Sequence, residues 1–223
     1  MRFLSKHLEK SPVHARVIPF FIFVGITALQ GSFGEASRFW VYGVKTFAGA
    51  WLVYEMWPYT KEVRWAFSWE AVAVGVLVVL IWVGLDPWYG KMSKLPDKLW
   101  NPHEEFGQNS VAAWSVIIIR ILGSAIVVPP LEEVFYRSFL YRYMVKIDFL
   151  GMPLNQRHWL SFVVTSVIFG FVHFEWLAGI LCGMSYQWLV LRKGRLGDAM
   201  LAHGITNFLL GLYIVIKGDW HFW

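Results

Sequence analysis

Two adjacent carboxylates, Glu132 and Glu133, stand just ahead of a guanidinium, Arg137, in the stretch LEEVFYRSFLYRYM from Leu131 to Met144. The residues around them otherwise read as membrane. Ionisable groups at that depth are costly and by default mark a working site. Glu133 and Arg137 are four positions apart with the acid N-terminal, so on a helix they share a face and neutralise each other. Glu132 is turned ~100° away and has no local partner, which suits a general base. Pro129 and Pro130 precede the stretch, and a proline tolerated at a helix start predicts a new helix opening at Pro130. The competing reading is a structural ion-pair cluster at a membrane boundary.

Further polar groups lie in apolar surroundings. Of seven histidines, only His173 and His203 fall inside apolar segments. Phe169 and His173 are four apart, as are His203 and Asn207, so each pair shares a helix face. Each histidine alone could be a packing residue bonded to a carbonyl. Together with an asparagine and the Glu-Glu-Arg cluster, they describe a site built from facing helices. Glu132 can take a proton from water, and a neutral histidine can position that water or donate to a leaving amine. Asn207 is a neutral donor suited to an oxyanion, and the other histidine could assist it. That is amide hydrolysis without a covalent intermediate. The set Glu132, His173 and His203 could also hold zinc as two histidines and a carboxylate, although no HExxH pair is present. Cys182 reads as packing, and Ser138, Ser161 and Ser166 lack a GxSxG context.

The elements that would position these groups are apolar segments. Hydrophobic residues make up 57% of the chain and charged residues 16%, which departs from a soluble domain and points to an integral membrane protein. Fourteen Trp suit rings at both lipid–water interfaces. The net charge of +5 is spread between apolar segments and marks topology, not nucleic-acid binding. One cysteine excludes an internal disulfide. The predicted fold is all-α, a polytopic transmembrane bundle of about seven to eight helices. The segments are Val17 to Gln30, Phe39 to Trp57, Ala66 to Leu85, Val111 to Val128, the motif helix to about Lys146, Trp159 to His173, Leu177 to Leu191 and Leu196 to Ile216. A polar connection runs from Asp86 to Asn109. Residues 1–110 read as N-terminal helices of unassigned role plus that loop, and 111–223 as the functional core of one integrated membrane domain. Arg2, Lys6, Lys10 and Arg16, then Lys61 and Arg64, then Arg137, Arg142, Lys146 and Arg157, and Arg192, Lys193 and Arg195 all fall on one side if the N-terminus is cytoplasmic and spans alternate. Simple alternation then sets His173 and His203 at unequal depths. Gly179 and Gly183 form a GxxxG packing pair. Arg120 lies mid-segment and has no assigned role; it reads as snorkelling or structurally paired, with Glu132 or Glu133 as partners, or as facing a water-filled cavity.

Glu132-Glu133-Val-Phe-Tyr-Arg137, Phe169-Gly-Phe-Val-His173 and His203-Gly-Ile-Thr-Asn207 resemble, in order and spacing, the EExxxR, FxxxH and HxxxN motifs of the CAAX protease and bacteriocin-processing (CPBP, or Abi) family. The resemblance covers about Val111 to Ile216. It implies a glutamic-type intramembrane endopeptidase in which Glu132 activates water, His173 assists, and His203 and Asn207 stabilise the oxyanion. It implies structural support of the site by Glu133 and Arg137. It implies no cofactor and no metal, although older metalloprotease assignments in the family keep zinc in view. The Trp-rich N-terminal part is similar to a bacterial subgroup, the CAAX prenyl protease-related proteins, which implies a bacterial inner (cytoplasmic) membrane. The implied partners are a membrane-associated protein or peptide substrate and the lipid bilayer, with no nucleic acid. The alternative function is a non-enzymatic transporter or scaffold that binds a partner through the same polar pocket, although no paired repeat supports a transporter.

Overall fold

The computed structural model describes residues 3–92 and 98–223; Arg2 and part of the polar connection after Asp86 lie outside them. Among the described residues the chain is helical, with no β-strand. Seven long helices carry the fold: α1 Pro12–Thr27, α2 Ser37–Met56, α3 Trp69–Leu85, α4 Val111–Tyr143, α5 Trp159–Phe171, α6 Trp176–Lys193 and α7 Gly197–Lys217. Their starts follow from capping. Ser11, Ser68 and Ser110 each accept a backbone N–H from the first turn of α1, α3 and α4. The Ser11 cap and Pro12 behind it start α1 earlier than its apolar run does. Among the described residues, α4, α7 and α3 with its following turn are long and apolar enough to cross a membrane. Side chains such as Leu80, Ile118, Ile126 and Ile216 stay exposed on the outer faces, as lipid contact requires. This is an integral membrane helix bundle.

One expectation is corrected. No new helix opens at Pro130: the fourth segment and the motif helix are one continuous helix from Val111 to Tyr143. Its 33 residues span about 50 Å, well beyond the ~30 Å hydrocarbon core. The prolines are absorbed by a π-helical stretch, Gly123–Val127, in which the N–H of Val128 reaches back to the carbonyl of Gly123. In that register the next acceptors, Ser124 O and Ala125 O, fall opposite Pro129 and Pro130, which have no N–H to give. Two freed carbonyls inside a membrane need partners, and α7 supplies a donor to the first. Asn207 Nδ2 donates to Ser124 O at 2.8 Å. Gly204, one turn earlier, lies so close to Ala125 O that a Cβ there would sit 2.6 Å from it. Gly204→Ala is therefore expected to force α7 away from rigid backbone and to destabilise the protein by about 1–3 kcal/mol. A thermal melt equal to wild type would show that this approach is not tight.

The other helices pack around that pair. α5 and α6 meet backbone to backbone, with Gly179 against Gly170 and Gly183 against Ser166, so the GxxxG pair is a packing surface. α3 lies on α7, where Gly75 approaches Ala202 O. Phe20 of α1 stacks on Phe135 of α4 at 4.0 Å. At the end of the bundle that gathers the basic residues, Arg16 and Arg142 converge on Glu62 and Ser138, and Ser138 also donates to Glu62. Burial works to raise the Glu62 carboxyl, but the Arg16 guanidinium and the Ser138 hydroxyl outweigh it and hold that group below its ordinary value. The network fastens the loop after α2 to the motif part of α4.

Candidate functional site

α4 enters a second π-helical stretch, Val134–Leu140, directly after the two glutamates. Such stretches recur at functional sites because they shift the phase of the side chains that follow. Here the phase brings Arg137 under Glu133, with Nη1 donating to Oε1 at 3.2 Å in a fully buried pair. Arg137 Nη2 donates to Gly183 O at 3.2 Å, and its guanidinium lies 4.5 Å from the centre of the Phe169 ring. The pairing expected from the spacing is present, but it is not the whole arrangement. Glu133 Oε1 also receives the Nδ1 of His203 at 2.9 Å. Glu133 therefore joins α4 to α7 as well as neutralising Arg137.

The ring of His203 is held on several sides. Tyr186 stacks on it at 5.1 Å between centroids, and the Tyr186 hydroxyl donates to Thr206 Oγ1 at 2.7 Å. With Nδ1 directed at Glu133, the opposite ring nitrogen faces Glu132: His203 Nε2 is 3.9 Å from Glu132 Oε2. That carboxylate oxygen is buried and has no hydrogen-bond partner. Glu132 is 18% exposed, whereas Glu133 is 0% exposed, so the two adjacent acids differ in access as well as in partners.

His173 arrives from the end of α5. The 13 residues of α5 span about 20 Å, short of the ~30 Å core, so the turn that carries His173 lies within the thickness of the bundle. This removes the depth conflict that simple alternation of full spans creates. Both histidine rings now touch the same phenylalanine: Phe169 is 4.9 Å from His173 and 6.1 Å from His203. His173 Nδ1 donates to Phe169 O at 2.7 Å, which leaves Nε2 as the free ring nitrogen. Trp82 of α3 meets the His173 ring edge-on at 5.5 Å.

Glu132, His173, His203 and Asn207 all line one cavity of about 170 Å³, room for several waters. Asn207 uses one amide N–H on Ser124 O and keeps the other. Cys182, Arg120, Tyr42, Trp82 and Trp223 line the same cavity. Cys182 is buried and reduced. Arg120 pairs with neither Glu132 nor Glu133; it lies among aromatic rings at the cavity wall. Tyr42, Trp82, Tyr186, Thr206 and Trp223 were not singled out from the sequence. Tyr186 and Thr206 carry helical spacing but no motif, and Tyr42, Trp82 and Trp223 come from outside the three motifs. The N-terminal helices thus contribute Tyr42 and Trp82 to the cavity wall. Among the described residues, no group of three His, Cys, Asp or Glu is gathered closely enough to hold a metal ion.

Residues 113–209 match a family model described as "Type II CAAX prenyl endopeptidase Rce1-like". No curated protein and no solved structure matches the chain. The matched stretch contains Glu132, Glu133, Arg137, His173, His203 and Asn207, and leaves Tyr42, Trp82 and Trp223 outside it.

Proposed function

We propose, from the match of residues 113–209 to the CAAX prenyl endopeptidase family model, that the chain cuts peptide bonds of membrane-associated proteins or peptides by glutamate-activated water. The observation that carries this reading is the meeting of Glu132, His173, His203 and Asn207 in one cavity, with Glu132 Oε2 buried and unpaired. In the proposed reaction His173 Nε2 accepts a hydrogen bond from a water, and Glu132 takes that water's proton. The water oxygen bonds to the carbonyl carbon, and the π electrons move onto the carbonyl oxygen. The second N–H of Asn207 donates to that oxyanion. His203, entering the reaction with a proton on Nε2 taken up beforehand from bulk water, donates to the same oxyanion and keeps that proton throughout, with Glu133 balancing the charge at Nδ1. The tetrahedral centre then collapses, the C–N bond breaks, and the proton held on Glu132 passes to the leaving nitrogen. Glu133 and Arg137 position His203 and do not touch the reacting atoms. The substrate arrives within the bilayer, and a bacterial cytoplasmic membrane is the proposed location.

The test is turnover of a membrane-anchored peptide by the purified protein in liposomes, with and without a metal chelator. Turnover is expected to persist in the chelator. Loss that only added zinc restores would overturn the metal-free route. Transport of a solute through Glu132, with no proteolysis by the same preparation, would instead favour the transporter reading.

A further inference from the structure

The cavity that gathers Glu132, His173, His203 and Asn207 has two unlike ends. Toward the Arg142 end of α4 it is closed. Glu133 and Arg137 follow Glu132 on α4, Met200 precedes His203 on α7, and Tyr186 lies against the His203 ring; none of the four is more than 1% exposed. Beyond them the buried network of Arg16, Glu62, Ser138 and Arg142 ties α1, the loop after α2 and α4 together. Toward the other end the cavity stays open. Its wall runs from Glu132 back to Arg120, twelve positions and about 18 Å along α4. Glu132, Ser124, Arg120, Phe222 and Trp223 all line it and all keep exposed surface.

The same two ends differ in charge. At the closed end Arg16, near the start of α1, and Arg142, at the end of α4, both meet Glu62. Glu70 at the start of α3 meets Arg192 and Lys193 at the end of α6. Gly197 at the start of α7 lies against the carbonyl of Arg64. Lys61, Lys146, Arg157 and Arg195 stand in the adjoining loops. Among the described residues the open end carries Arg38, Lys91, Lys98 and Lys217. An excess of lysine and arginine beside the spans marks the cytoplasmic face, whatever acids lie nearby. Depth agrees with this placement. Tyr42, Trp100 and Trp223 surround Arg120 at 4.6, 4.1 and 5.0 Å, and such rings gather at a membrane interface. From Arg120 to Arg142 is about 33 Å along α4, the thickness of one hydrocarbon core. Glu132 lies near the middle of that span.

We propose that the catalytic cavity opens to the non-cytoplasmic side of the membrane. Its substrates are then membrane-anchored polypeptides whose cleaved segment has already crossed the bilayer. The substrate class rests on the protease reading above; the side rests on the closed end and the charge. A chain presented from the cytoplasm would have to pass the buried Glu133–Arg137 pair to reach Glu132. The water that Glu132 deprotonates enters from the same side as the substrate.

The experiment reads side and cleavage separately. The full chain carries Cys182→Ala, which removes its one cysteine, together with either Ser124→Cys on the cavity wall or Lys61→Cys at the basic end. Spheroplasts expressing each variant are treated with a small charged thiol reagent that does not cross membranes, before and after lysis. Ser124→Cys is expected to react as fast in intact spheroplasts as after lysis. Lys61→Cys is expected to react at least about tenfold faster after lysis, since a thiol is modified only where the reagent reaches it. Ser124→Cys that reacts only after lysis, or not at all, overturns the open non-cytoplasmic mouth, and so does Lys61→Cys that reacts in intact spheroplasts. For cleavage, lipid-anchored peptides of randomised sequence are added to intact spheroplasts and to inside-out vesicles holding the wild-type chain, with Glu132→Gln as the blank. Cleavage is expected in the spheroplasts and absent from the inside-out vesicles. Cleavage in the inside-out vesicles alone overturns the side and leaves the protease standing. Cleavage in neither, with Ser124→Cys reactive from outside, overturns the protease reading and keeps the side.

Discussion

Glu132→Gln is expected to lower kcat by on the order of 10³-fold while the thermal melt stays within a few degrees of wild type. The size follows from the task. A positioned general base contributes about 10²–10⁴-fold, and each tenfold is about 1.4 kcal/mol of barrier. Glutamine keeps the shape of the side chain and removes only its capacity to take a proton from water. The small effect on stability follows from the surroundings. Glu132 is 18% exposed, its Oε2 has no hydrogen-bond partner, and its nearest ionisable contact is 3.9 Å away. Removing its charge therefore breaks no hydrogen bond at Oε2 and at most a 3.9 Å contact with His203. The measurement is single-turnover cleavage of a membrane-anchored peptide beside a melt of the same preparation. Activity within tenfold of wild type would remove Glu132 from the reaction. A collapsed melt would make it a structural acid, the competing reading of the Glu-Glu-Arg stretch.

That contrast between neighbouring acids was half visible in the chain. Spacing alone puts Glu133 with Arg137 and turns Glu132 away, because both statements concern one helix turn. It does not show that His203, seventy positions later, takes the other share of Glu133, because a contact between helices has no local pattern. The number of helices followed from the apolar runs. The helix runs on through Pro129 and Pro130 because a π-helical register absorbs prolines, with Asn207 of α7 donating to the freed Ser124 carbonyl. That bond explains why Asn207 serves α4 as well as the cavity. The meeting of His173 with His203 was not legible for a related reason: simple alternation assumes full spans, and α5 is a short helix lying against α6. The rings around Arg120 come from α2, the connection before α4 and the C-terminus, three places that no motif links.

Arg137→Met is expected to be the most damaging single change for the fold. Arg137 is 1% exposed and its partner Glu133 is 0% exposed. Removing one member of such a pair leaves the other charge buried and uncompensated, at a cost of about 3–5 kcal/mol. For a chain of this size that lowers the melting temperature by roughly 6–20 °C. The same substitution removes the donor to Gly183 O and so loosens α4 from the α5–α6 hairpin. Adding Glu133→Gln should recover most of the lost stability, because no charge is then left alone. It should not recover activity, because a neutral amide no longer balances a charged His203 ring at 2.9 Å. The two readouts therefore separate the two duties of Glu133. A double variant as unstable as Arg137→Met would mean that the damage is lost packing against Phe169 rather than an orphaned charge. A double variant with restored cleavage would mean that His203 does not depend on Glu133, and the proposed charge balance in the transition state would have to be abandoned.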